Sequence, residues 1–382
     1  MFKNLFFLIF IWILIPSQAI SQEIQEVVVL EKKLTSLSGW SNNQSISSID
    51  EKELKDLDAQ HPKQIFRRSP GIWISRGSGQ EHLTAIRSPV LTGPGACGSF
   101  LVLEDGIPVR PTGFCNVNGL FETFFEMASN IETIRGPASA RYGANAMHGV
   151  INILSKPINS ENMIYANLGP NNYKNFKIRA GNKQDWSFGG SFVNNDGFRD
   201  QSGYDQQKVK MQSKFTIASW NASMRATFTN LNQETAGYVN GLNSYKNESF
   251  SNQNFNPDAY RDAKSQRISL ILTKEINNSI NSITPYIRNN DMKFFQHFLP
   301  GTPLEENNHI SAGVIFQSIS NFKNFNFIRG LQVDLAKVEL TETQKNVLTN
   351  SSAFNNATRP QGKHYDYEVD SFVYAIFAGI EE

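Results

Sequence analysis

A chain of 382 residues with 36 basic and 35 acidic side chains, net charge +1, has no charge surplus with which to hold a nucleic acid. Past residue 21 no window approaches the roughly 18 apolar residues of a spanning helix, which excludes a helical inner-membrane protein. With 28 Phe, 11 Tyr and 5 Trp among abundant Asn, Ser and turn residues, the composition fits an exported all-β surface or outer-membrane protein.

Lys3 precedes an uninterrupted apolar run at 5–15, LFFLIFIWILI, which Pro16 ends. The run is too short to span a bilayer as a helix, and Ser17, Ala19 and Ser21 supply small residues for cleavage, so 1–21 reads as a secretory signal. The arm and linker at 22–44 begin with QEIQEVVVL, which Glu31-Lys32-Lys33 stops. That stretch is either a first strand or an arm that adds to a partner's sheet edge.

Residues 45–157 read as an α+β domain with short strands and long loops. A helix is predicted from 49, with Ser47 or Ser48 as N-cap and Asp50, Glu51 and Glu53 in its first turn. His61-Pro62 interrupts it, and a second helix at 62–68 stops at Ser69-Pro70-Gly71. Strands follow at 72–75 and 83–87, then a Gly/Pro loop at 88–99. A hairpin comes next: 100–103, the turn Glu104-Asp105-Gly106, and 107–109. After the loop at 110–119, residues 130–156 give two short strands joined by a reversal at Arg135-Gly136-Pro137.

Cys97 and Cys115, one in each long loop, are the chain's two cysteines. An isolated close pair in an oxidising compartment generally forms a disulfide, with two free thiols as the alternative. Neither C-x2-C nor His-x-His spacing occurs, so no metal site is indicated.

From 162 onward apolar and polar residues alternate. Strands are predicted at 162–168, 173–180, 186–193, 208–217, 220–228, 266–274, 281–290, 309–319, 325–339 and 367–379. Apart from a brief first link at 169–172, the links alternate as well: short at 181–185, near 219, at 275–280 and 320–324, long at 194–205, 229–265, 291–308 and 340–366. Alternating link lengths and tilted spans of about 10 residues are the pattern of an up-and-down membrane barrel. Trp, Phe, Val and Ile then face lipid, and Lys, Arg, Gln and Ser the lumen.

On these residues the chain resembles the TonB-dependent outer-membrane receptors. Ser69-Pro70-Gly71-Ile72, Ala85-Ile86-Arg87, FLVLEDGIPV at 100–109 and, most specifically, IETIRGPASARYGANAMHGVINIL at 131–154 are similar to the family's plug, in its order. Glu26, Val27, Val28 and Val29 resemble the TonB box, the arm gripped by the energy transducer TonB. One departure is Ser88-Pro89 after Arg87, where the family usually has Gly. The resemblance implies a plug inside a barrel of about 22 strands. Ten strands are legible, so a longer chain on the order of 640 residues is expected, with 158–382 as the N-terminal part of the barrel.

The resemblance further implies a transporter rather than an enzyme. It would take up a scarce ligand, a ferric siderophore first and cobalamin or haem otherwise, with TonB and its inner-membrane complex as partners and outer-membrane lipid around the barrel. No cofactor is expected, and there is no P-loop for a nucleotide. By position, Arg110, Phe114 and Asn116 in the plug loops and Phe294, Phe295 and His297 in the barrel loops are candidate ligand contacts, with Tyr238 and Tyr245 as further exposed aromatics. Arg87 and Arg135 are candidates for pairing with barrel carboxylates. His61, His82 and His148 are assigned local roles. A surface glycan-binding or adhesin β protein is the reading from a different class. A secreted hydrolase lacks any nucleophile elbow or paired carboxylates.

Overall fold

The computed structural model describes residues 35–37, 45–92, 97–143, 145–295, 301–349 and 351–381. The signal segment, the arm residues Glu26, Val27, Val28 and Val29, and His297 lie outside the described residues.

The first unit is built on a mixed sheet. Its strands are β1 (Ser45–Asp50), β4 (Leu101–Glu104), β5 (Ile107–Pro108), β6 (Ala128–Arg135) and β7 (Gly149–Ser155), in the order β1-β6-β7-β4-β5 with β4 and β7 parallel. Val102, Ile131, Ile151 and Ile153 pack in one buried cluster, and Leu101, Leu103, Ile134 and Val150 in another. A sheet buried on both faces explains why 150–154 reads VINIL rather than as an alternation. Two helices, α1 (Glu51–Leu57) and α2 (Pro62–Phe66), follow β1, and a small hairpin pairs β2 (Ile72–Ile74) with β3 (Thr84–Ile86).

The cap of α1 differs from expectation. Asp50 is the N-cap, its carboxylate accepting the Glu53 N–H at 2.8 Å, because Ser47 and Ser48 belong to β1. Their hydroxyls reach across the sheet to Thr133 and Asn130 at 2.7 and 2.6 Å. In α2, His61 and Gln64 form a reciprocal capping box around Pro62, whose missing N–H costs nothing at a helix start. The predicted reversal after β6 is present, with Gly136 at φ +122° and a single helical turn, α3 (Ser139–Tyr142), before β7. The turn after β3 is built with Arg87 itself at φ +47°.

The second unit is one antiparallel ten-stranded sheet in simple chain order. Its strands are β8 (Met163–Gly169), β9 (Tyr173–Gly181), β10 (Trp186–Asn195), β11 (Tyr204–Ile217), β12 (Trp220–Glu234), β13 (Tyr260–Ile276), β14 (Ser279–Phe295), β15 (Leu304–Asn321), β16 (Asn326–Gln344) and β17 (Gly362–Glu381). All ten overlap the stretches that alternation marks, and the later ones, β13 to β17, extend past them into what read as links. Two-residue turns such as Asn277-Asn278, both at positive φ, close one end, while links such as 235–259 and 345–361 lie at the other. On β17 the side facing away from the plug shows Phe372, Tyr374, Ile376 and Ile380, each about two-thirds exposed or more. Lumen-facing positions on β11 are Gln206, Lys208, Lys210 and Gln212, the first three buried. Among the described residues no helix is long and apolar enough to cross a membrane, which says nothing of strands.

Candidate functional site

The plug sits against the concave wall of strands, and charge holds it there. Glu104, the last residue of β4, and Asp105, in the turn to β5, are each about 5% exposed. Arg267 on β13 reaches the Glu104 carboxylate at 2.6 Å, Lys210 on β11 lies 3.4 Å from Glu104 and 2.9 Å from Asp105, and Arg225 on β12 is 2.7 Å from Asp105. Thr227 Oγ1 and the Phe124 N–H also donate to Glu104, at 3.1 and 3.0 Å. Burial pushes the Glu104 carboxyl up, but Lys210 and Arg267 outweigh it and hold the group down to about 2. A cavity of about 20 Å³, room for about one water, lies among these charges and Arg288.

Outlying contacts repeat the pattern: Lys177 with Asp58 at 2.9 Å, Lys208 with Glu126 at 2.6 Å and Arg261 with Glu81 at 3.4 Å. In every one of these plug–wall pairs the plug supplies the carboxylate and the wall the cation. Arg288 on β14 instead pairs with Asp334 on β16 at 2.6 Å and donates to the plug's Pro108 carbonyl at 2.9 Å. The connection between the units is clamped as well. Arg179 on β9 donates to the carbonyls of Pro157 and Ser160, both at 2.6 Å.

The two cysteine loops meet above the sheet. Cys97 and Cys115 are joined by a disulfide, and the Cys97 carbonyl accepts from the Asn116 and Val117 N–H groups, both at 3.0 Å. In the chain-entropy picture this closure is worth roughly 3 kcal/mol. We expect reduction, or Cys115→Ser, to lower the free energy of plug unfolding by about that amount. Denaturant midpoints with and without reductant check it.

Arg110 was expected to face a ligand, but it is buried with 1% exposure. Its Nε donates to both Glu122 oxygens at 3.1 and 3.3 Å, Nη2 also reaches Glu122, and Nη1 donates to Asn118 Oδ1 at 3.1 Å and to the Cys115 carbonyl. A buried guanidinium without such partners would be prohibitively costly, so in this structure its role is to hold the loop. Phe114, half-buried, lies 5.3 Å from the Arg110 guanidinium and edge-on to His309 of β15 at 4.8 Å. Asn116 is buried and donates to the Phe114 carbonyl at 3.3 Å.

Phe294 and Phe295 are corrected from loop residues to the last residues of β14, paired with Arg261 and Tyr260 of β13. Consecutive strand residues face opposite sides. Phe294 is buried toward the lumen with the Arg261 guanidinium 3.7 Å from its ring, and Phe295 stacks on Tyr260 at 6.0 Å. Tyr238 and Tyr245 stand exposed in the long link after β12. Arg87 donates to the Arg135 carbonyl at 3.0 Å and to Ser45 Oγ at 3.3 Å, and Arg135 donates to the Pro70 carbonyl at 2.8 Å. Among the described residues neither joins a carboxylate. His61 and His82 do serve locally: each hydrogen-bonds a plug carbonyl, of Glu81 and Gln80, and burial lowers them to about 4 and about 3.

Sequence reasoning missed the Glu104 and Asp105 locks, because their partners lie more than 100 residues away and leave no local pattern. His309, buried on β15 with neither ring nitrogen hydrogen-bonded, was equally unmarked.

Residues 40–150 match the TonB-dependent Receptor Plug Domain family. Solved structures of similar fold include the ferric citrate transporter FecA in its unliganded form, at TM-score 0.66 and 14% identity, covering 88% of this chain and 54% of that one. The ferric yersiniabactin uptake receptor FyuA from Yersinia pestis matches at TM-score 0.65 and 14% identity, covering 89% of this chain and 54% of its own. The ferripyoverdine receptor of the outer membrane of Pseudomonas aeruginosa, bound to ferripyoverdine, matches at 0.63 and 11%, covering 88% and 49%. The chain thus spans about half the length of these structures. It carries a TonB-dependent receptor plug domain and, joined to it, ten strands with the fold of the TonB-dependent receptor barrels.

Proposed function

We propose that this chain is the plug and N-terminal barrel wall of an outer-membrane receptor that takes up a ferric siderophore with force supplied through TonB. The observation that carries the reading is a recognised plug domain seated by a charge lattice against a strand wall whose outer face is apolar. The matched structures named for ferric citrate, ferric yersiniabactin and ferripyoverdine support the ligand class. In this reading Glu26, Val27, Val28 and Val29 form the segment that TonB pairs with. By the same reading Phe114 contacts ligand, as the one of the three plug candidates Arg110, Phe114 and Asn116 that is not buried.

Cells with and without the gene, given iron-labelled siderophores, labelled cobalamin and labelled haem, test the assignment. Energy-dependent accumulation of a ferric siderophore, lost without TonB, is the expected result. Uptake of cobalamin or haem alone would move the ligand within the same mechanism. Extraction of the protein by carbonate would overturn the membrane reading and favour a surface adhesin.

A further inference from the structure

Residues Thr35, Ser36 and Leu37, within the arm and linker and a few positions after Val29, are fastened to the plug sheet. Leu37 is 1% exposed and packs with Leu101, Leu103, Ile134 and Val150. Its N–H donates to Glu132 Oε2 at 2.5 Å, and the Ser36 hydroxyl donates to Glu132 Oε1. Asn152, fully buried on the neighbouring strand β7, donates from Nδ2 to the Thr35 carbonyl at 2.8 Å. The same amide accepts the Gly106 N–H through Oδ1 at 3.0 Å. Gly106 stands at φ +79°, and a Cβ there would lie 3.4 Å from the Thr35 Cα and carbonyl oxygen, so the strap rests directly on this turn.

That turn is the one that grips the wall. Asp105 accepts from the Ser155 N–H at 2.8 Å and Oγ at 2.6 Å, and with Glu104 it meets Lys210, Arg225 and Arg267. A continuous chain of contacts therefore runs from the strap through Asn152 to the charge lattice.

We propose that Thr35–Ser36–Leu37 is a releasable clasp and Asn152 its relay: seated, the strap holds the Glu104–Gly106 turn in its wall-gripping position, and displaced, it loosens that grip. Removing the strap takes two donors from buried Glu132 and one acceptor from buried Asn152. Water must then enter to replace them, at the edge of the Gly106 turn. The clasp rests on these contacts alone. Only the origin of the displacing force depends on the function proposed above.

Amide hydrogen exchange on the full-length, unliganded protein in lipid nanodiscs, with no TonB present, tests it. Leu37, Gly106 and Ser155 are direct reporters, since each N–H donates into the chain of contacts. Glu132→Gln, which puts an amide donor against one of the strap's donors, is expected to speed exchange at Leu37 about tenfold, with Gly106 and Ser155 rising in parallel. Ser36→Ala, which removes one bond and no core volume, is expected to give a smaller rise at the same three places and carries the test if Glu132→Gln does not fold. The Asp58 N–H, bonded to Leu54 at the end of α1, should not change. Faster exchange at Leu37 with Gly106 and Ser155 unmoved would overturn the relay, and no change at Leu37 in either folded variant would overturn the clasp. Both results leave ligand uptake untouched.

Discussion

Replacing Glu104 by Gln is expected to weaken seating of the plug by about 3–5 kcal/mol, the usual cost of removing one partner from a buried charge pair. The amide keeps the shape but leaves Arg267 without the carboxylate it meets at 2.6 Å, and leaves Lys210 with Asp105 as its plug partner. Protease cleavage of the plug along a denaturant series, in protein reconstituted into vesicles, reads the loss. Wild-type resistance in the variant would show that the lattice is ornamental. The pH dependence has a definite sign. In the folded protein Lys210 and Arg267 hold the Glu104 carboxyl at about 2, against an ordinary value of 4.5. Its stabilising contribution is therefore complete above about pH 4.5 and drains away as pH falls toward about 2.

Arg110→Ala is expected to cost a similar amount, about 3–5 kcal/mol, because Glu122 is then left as a buried charge with, among the described residues, the Asn290 amide at 2.7 Å as its remaining side-chain donor. The effect separates a holding role from a ligand-contact role. If Arg110 holds the loop, Arg110→Met combined with Glu122→Leu recovers most of the lost stability, since no charge is left unpaired. If it met ligand instead, the double variant would fold well and still bind poorly. Denaturant midpoints and ligand titration on the single and double variants distinguish the two.

The wall was legible because a sheet with one face exposed and apolar and the other packed against a charged domain imposes a two-residue period. That period is clear in the predicted stretch 208–217 of β11 and fades toward the strand ends that meet the long links. After Leu304 the first residues of β15 read EENN, polar on both faces, so alternation marks this strand only from 309. β1 was hidden for a different reason. Its sequence SISSID offers serines and an aspartate that cap helices, and only pairing with β6, some 80 residues on, commits them to a sheet. The glycine-rich reversal after β6 carries the most specific likeness in the chain, and in the structure it forms a turn at Gly136 and the single helical turn α3. The chemistry lies in side chains that look ordinary in sequence. Arg110 and Phe114 sit four residues apart in one loop, yet one is sealed beneath the other. Glu104 and Asp105 passed for turn formers because a turn is what they also make.

The division of sign between plug and wall bears on how the molecule is put together. Lys177, Lys208, Lys210, Arg225, Arg261 and Arg267 all lie on strands, and Asp58, Glu81, Glu104, Asp105 and Glu126 all lie on the plug. Neither surface can give up its hydration until the other arrives with counter-ions, because stripping water from unpaired charges costs several kcal/mol apiece. The match is one of faces and not of net charge, since residues 45–157 hold 11 acidic and 11 basic side chains: the plug's carboxylates and the strands' cations lose their water together, as each pair closes.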